Sequence, residues 1–216
     1  MDECDTRRKV RPSQGVHLVV DSKFLGGRSA LMIPKTKDGR VLFGVPWHGK
    51  VVLGTTDTPL NEASLEPRAL EEEVDFILDQ AGQYLDRKPT RADVLSIFAG
   101  LRPLAAPTHA DSKKTKEISR NHKIYRSKSG LLTITGGKWT TYRAMAEDVI
   151  NQAIVIGGLS PAECVTKNLR VHGYTKEQFD ENDWNYVYGS DASKIQKMIE
   201  KEPSFAEKLY EGYTFT

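Results

Sequence analysis

The chain has 216 residues, 38% hydrophobic and 28% charged, a globular composition long enough for one large domain or two small ones. With 31 basic and 29 acidic residues the formal charge is only +2, so nothing in the balance calls for nucleic acid as a partner. Cys4 and Cys164 lie far apart without neighbours at metal-ligand spacing, which excludes a disulfide framework, suggests a reduced compartment and points to no metal.

Taken in chain order, residues 1–12 are polar and read as frayed. His17–Asp21 reads as a strand, followed by Ala30–Pro34 and Arg40–Pro46, joined through the turn Lys37-Asp38-Gly39. Lys50–Thr56 makes a fourth strand after the turn at His48-Gly49, where Trp47 is expected to bury its ring. This cluster predicts an antiparallel sheet. Glu66-Pro67 opens a helix to about Tyr84, with Leu70, Val74, Ile77, Leu78 and Ala81 on its apolar face and Glu71–Glu73 complementing its dipole. Ala92–Arg102 reads as a strand ending at Pro103, and 105–117 as a polar loop. Ile124–Arg126 and Leu131–Thr135 form a hairpin across Ser127–Gly130.

Leu131–Glu147 is the most informative stretch. An apolar strand runs into Gly136-Gly137, then Lys138, then a helix with Tyr142, Met145, Ala146, Val149, Ile150, Ala153 and Ile154 at helical spacing. The glycines permit close backbone approach, Thr140 or Thr141 is placed to cap the helix, and Gly157-Gly158 stops it. A helix N-terminus beside a lysine suits an anionic or electron-rich ligand. The plainer alternative is an ordinary strand–turn–helix with a solvated lysine. Beyond Gly158 a linker leads to Asp191–Leu209, helical with a break at Glu202-Pro203. No apolar run reaches the about 18 residues needed to span a bilayer, which leaves attachment to a membrane surface open. The chain stops directly after this helical stretch, so a longer parent is expected.

Arg102, at a strand tip, can present its fork to a phosphate or carboxylate, or sit in a surface ion pair. Arg120 lies in a loop before a strand. His17 begins the first strand, and a neutral imidazole there can take a proton near pH 7. Thr55-Thr56-Asp57 is expected to cap a turn. His109, His122 and His172 lack metal-ligand spacing, and no dinucleotide fingerprint, P-loop or nucleophile elbow is present. The residues alone describe a pocket with cationic groups for a small anionic ligand and leave the reaction open.

Six segments in order resemble the flavin-dependent glycerol-3-phosphate dehydrogenase family. They are Gly15–Val20, Arg40–Trp47, Gly54–Asp57, Ala99–Leu104 (AGLRPL), Ser119–His122 and Thr135–Glu147 (TGGKWTTYRAMAE). The match covers about residues 14–158 strongly and the remainder weakly. Asn121, where the family often has aspartate, and Trp139, where leucine also occurs, depart from the pattern. So does the lack of the Rossmann-type domain that opens such enzymes.

The resemblance implies an α+β fold in three parts. These are an antiparallel-sheet substrate domain with flanking helices (14–130), the last strand–helix unit of a flavin-binding domain (131–158), and a linker with the start of a helical C-terminal domain (159–216). It implies FAD held by Gly136, Gly137, Lys138, Trp139, Thr140 and Thr141, and sn-glycerol 3-phosphate held by Arg102, Arg120 and Lys138. His17, Lys138 and Arg102 are the catalytic candidates, with His17 taking the hydroxyl proton as hydride passes to the flavin. Electrons go on to a quinone, and the intact protein sits peripherally on the cytoplasmic membrane, on its cytoplasmic side. The isolated piece is expected to be nearly inactive and, with its FAD-facing surface exposed, to self-associate. The alternatives are another flavin oxidoreductase of amine or amino-acid oxidase type, with Arg102 on a carboxylate, and a non-catalytic anion-binding module.

Overall fold

Strand β1 (Val10–Asp21) is the central strand, and its alternation of side chains divides the molecule into two faces. The computed structural model describes residues 10–105, 121–178, 180, 183–211 and 215–216. Along one edge of β1 lie β4 (Lys50–Gly54) and the short β5 (Thr58–Pro59), both antiparallel. Outside β4 come β3 (Leu42–Trp47) and β2 (Leu31–Ile33). The other edge of β1 is covered from Val10 to Val20 by β6 (Val94–Ala105), an edge strand. The antiparallel sheet expected from the sequence is present.

Even-numbered residues of β1 build the core. Val16, Leu18 and Val20 are fully buried, with Ile33, Leu42, Val51 and Leu53 from the neighbouring strands. Helix α1 (Glu71–Ala81) closes this face with Val74, Ile77, Leu78 and Ala81, the stripe its 3.6-residue period dictates. Odd-numbered residues Ser13, Gly15 and His17 point to the opposite face. They stand in register with Arg102, Gly100 and Phe98 of β6, so these side chains share one surface.

Several boundaries differ from the sequence expectation, each for a local reason. Residues 10–12, expected to fray, belong to β1 because β6 pairs with them through Leu104 and Ala105. β6 continues past Pro103, which faces Pro12. Neither residue has an N–H, and the pair takes a ladder position that needs none. Helix α1 begins at Glu71 and not near Pro67, because Leu70 is extended and its N–H is taken by Glu73 Oε2 at 3.0 Å. The Trp47 ring is 62% exposed at the end of β3, not buried, with the His48 ring edge-on to it.

β7 (Lys123–Arg126) and β8 (Leu132–Thr135) form the expected hairpin. After Gly136-Gly137 a single 3₁₀ turn (Trp139–Thr141) leads into α2 (Tyr142–Gly157), which ends at left-handed Gly158. No residue of α2 is buried, although it is the most apolar α-helix by sequence among the described residues. The described residues divide into two compact units at Pro161/Ala162. The second contains α3 (Ala192–Lys201), broken before the turn Pro203–Ala206 where the Glu202-Pro203 step was expected to break it. Among the described residues no helix is long and apolar enough to cross a membrane.

Candidate functional site

Arg102 is the best-anchored cation on the odd-numbered face of the sheet. Its Nη1 donates to the Thr56 carbonyl at 3.0 Å and its Nη2 to Thr55 Oγ1 at 2.9 Å. The Asp57 carboxylate lies 3.8 Å from Nη1 and accepts a short hydrogen bond from Ser13 Oγ. The guanidinium occupies the space above Gly15, where a side chain would collide with it. Thus the segment after β4, expected only to cap a turn, is the bracket that aims Arg102. Its sequence signal was the Thr-Thr-Asp run directly after a strand, three short polar groups where the sheet ends.

His17 lies on the same face. Its ring stacks on Phe98, with centroids 5.1 Å apart and planes 12° off parallel, and lies against Gly54, which has no Cβ to obstruct it. Burial, and then the charge of Arg102, hold its pKa below the ordinary 6.5. The imidazole is therefore neutral at pH 7 and able to accept a proton.

A cleft of about 530 Å³ joins the end of β6 to the Gly-Gly turn. It brings Arg102 together with Gly136, Gly137, Lys138 and Trp139, and the first turn of α2 borders it through Tyr142 and Met145. Gly136 and Gly137 have φ of 77° and 72°, a region closed to most side chains. A Cβ on Gly137 would stand 2.9 Å from Met145 Cε, the mobile end of a flexible side chain, so it is the backbone conformation that requires glycine. Trp139 is 87% exposed, with its ring centroid 5.8 Å from that of Tyr142. Lys138 is exposed, and its amine has no ion-pair partner among the described residues.

Thr140 and Thr141 are not among the residues lining the cleft. Thr141 stands at the N-cap of α2, as expected, but its side chain makes no cap hydrogen bond. Its Oγ1 accepts from the Lys138 N–H at 3.1 Å and bonds back to the Lys138 carbonyl at 3.0 Å, closing the 3₁₀ turn instead. Arg120 lies outside the described residues. His17 does not line the cleft either and is linked to it through Arg102. His122 pairs with Asp148 at 2.8 Å and borders a separate depression with Ile124, Asn151 and Gln152, its Cβ backing onto Gly137.

A family model described as FAD dependent oxidoreductase matches residues 1–143, well over half of the chain. The chain belongs to the FAD dependent oxidoreductase family. Within that family it is 49% identical over 174 residues to a mitochondrial glycerol-3-phosphate dehydrogenase of Arabidopsis thaliana, covering 80% of this chain and 27% of the relative. The mitochondrial glycerol-3-phosphate dehydrogenase of Homo sapiens is 43% identical over 175 residues, covering 80% and 24%. The chain therefore spans about a quarter of the length of these curated relatives. The crystal structure of a glycerol-3-phosphate dehydrogenase from Bacillus halodurans complexed with FAD superposes with a TM-score of 0.73 at 31% identity, covering 91% of this chain and 41% of that one. The α+β fold with its antiparallel sheet is thus a known one in this family.

Proposed function

We propose that this chain supplies the substrate-binding face of an enzyme that oxidises sn-glycerol 3-phosphate to dihydroxyacetone phosphate with FAD as the oxidant. The observation that carries the proposal is the placement of Arg102, fixed by Thr55 and Thr56, in the same cleft as the Gly136-Gly137-Lys138-Trp139 turn. The relatives named glycerol-3-phosphate dehydrogenases, at 43% and 49% identity, support the choice of substrate.

The residues present fit the cofactor. Two left-handed glycines leave room for a flat ring to approach, an exposed indole offers a surface for it, and the start of α2 with Lys138 favours negative charge. Thr135 Oγ1, one residue before the glycines, is buried with no hydrogen-bond partner among the described residues. Held by these residues, FAD would supply the acceptor for the hydride of the alcohol carbon. The chain's own residues do the rest. The Arg102 guanidinium binds the substrate phosphate in a two-point fashion, and Lys138 adds a second positive charge. Neutral His17, outside the cleft lining but on the face it shares with Arg102, takes the proton of the hydroxyl where the substrate held by Arg102 reaches over that face. In the same reading the electrons leave to a quinone at a membrane surface, which turnover with a water-soluble quinone tests.

The decisive experiment follows flavin absorbance in the full-length, FAD-loaded protein under anaerobic conditions. Bleaching on addition of sn-glycerol 3-phosphate, and none with amines or amino acids, is the expected result. Bleaching with an amino acid only would leave the fold standing and overturn the substrate.

A further inference from the structure

We infer that Glu73 is a positioning residue for Arg102, acting from the opposite face of the sheet through the Thr55–Thr58 segment. The inference rests on the reading of Arg102 as the phosphate-binding residue. Glu73 sits in the first turn of α1, 5% exposed, on the core side. A buried carboxylate is costly unless its oxygens are filled by donors. Here each oxygen takes two. Oε1 accepts from Thr56 Oγ1 at 2.9 Å and Thr58 Oγ1 at 2.5 Å. Oε2 accepts from Gln14 Nε2 at 2.7 Å and the Leu70 N–H at 3.0 Å.

The segment between β4 and β5 is thus gripped on alternate residues from its two sides. Thr56 and Thr58 give their hydroxyl protons to Glu73, while Thr55 and Asp57 face the guanidinium. Thr56 is the crossing point. Its hydroxyl accepts from the Val16 N–H at 3.0 Å and donates to Glu73, and its carbonyl accepts from Arg102 Nη1. With the hydroxyl fixed on one side, the carbonyl is fixed on the other. Four donors meeting one group require a carboxylate. A glutamine retains one acceptor oxygen and turns an NH₂ toward two donors, so half of the grip is lost. Helix α1 therefore does more than close the core: its N-terminal turn sets the direction of a cation on the far side of the sheet.

The test is a double-mutant cycle in the full-length, FAD-loaded protein, with sn-glycerol 3-phosphate as the varied substrate. Glu73→Gln is expected to raise KM about ten-fold while kcat changes less than about two-fold, the pattern of weakened ground-state binding. Adding Glu73→Gln to Arg102→Ala is expected to raise KM no further, because the interaction it served is already gone. Thr56→Val keeps the Glu73 charge and near-native shape but cuts the relay, and is expected to reproduce the KM effect. It also carries the test if Glu73→Gln fails to fold. A lowered melting temperature with unchanged KM in either single variant, or KM effects that multiply in the double variant, would overturn the inference while leaving the phosphate role of Arg102 intact. An unchanged KM in Arg102→Ala alone would remove that role, and the inference with it.

Discussion

Arg102 and Gly15 are matched by what the glycine lacks: a Cβ on Gly15 would stand 2.6 Å from the guanidinium carbon of Arg102. The two residues sit on adjacent strands, two positions apart in register. Gly15→Ala must therefore push the guanidinium off the Thr55 and Thr56 acceptors. Weaker binding of sn-glycerol 3-phosphate is expected, with KM raised about ten-fold or more, the scale of one lost charge-assisted hydrogen bond. Steady-state kinetics check it, and an unchanged KM would show that the arginine relocates without loss.

Gly54 does for His17 what Gly15 does for Arg102. A Cβ there would lie 2.9 Å from His17 Cγ, and the ring cannot retreat without leaving its stack on Phe98. Gly54→Ala is expected to lower kcat by about a hundred-fold, the usual range for a misplaced proton acceptor, and to leave KM nearly unchanged. The contrast between the two glycine variants separates binding from proton transfer.

The pH dependence of turnover follows from His17. Burial first, and Arg102 second, hold its pKa below 6.5. The acidic limb of kcat/KM is expected below pH 6.5, with full activity above it. In Arg102→Ala one of the two causes is gone, so the limb shifts upward toward 6.5. For stability the sign is that of a depressed group: the contribution of neutral His17 is complete above 6.5 and is lost as pH falls through the folded value. A limb lying above 6.5 in the wild type would exclude His17 as the titrating group.

How much of this was legible in the sequence depends on whether the cause was local. The strands, the Gly136-Gly137 turn and α2 were readable because period and glycine placement are written within a dozen residues. Arg102 and His17 stood out as single residues, but that they share a surface depends on the register of β1 with β6, some eighty residues apart in the chain. Thr55, Thr56 and Asp57 look like a turn cap because their partners, Arg102, Ser13 and Glu73, lie 17 to 47 residues away. The exposure of Trp47 has a similar cause: its neighbour in space, Lys50, sits across a tight turn and offers no apolar cover. Helix α2 shows the converse. Its sequence has an apolar face, yet none of its residues is buried among those described.

Acid stability isolates the Glu73 network. Burial raises its pKa, but the Leu70 N–H and the Thr58, Gln14 and Thr56 side chains outweigh that and hold it below the ordinary 4.5. The folded-state pKa is depressed, so the stabilisation is present above 4.5 and disappears as pH falls through the folded value. Glu73→Gln is expected to be less stable at neutral pH by about 1–3 kcal/mol, the cost of leaving buried donors unmatched. As pH falls from 4.5 through the folded pKa the difference should shrink. Urea melts at pH 7 and pH 3 check this, and a difference that does not narrow with acid would contradict it.

The central claim is that Arg102 binds the phosphate of the substrate in the cleft shared with the Gly136-Gly137 turn. The most direct measurement is kcat/KM for sn-glycerol 3-phosphate against that for glycerol, in the full-length, FAD-loaded wild type and in its Arg102→Ala variant. The expected result is a loss of about a hundred-fold or more with the phosphorylated substrate and little change with glycerol, since only the former has the group that Arg102 holds. Equal losses with both substrates would contradict the claim, because they would place the arginine at the reacting carbon or in the scaffold and not on the phosphate.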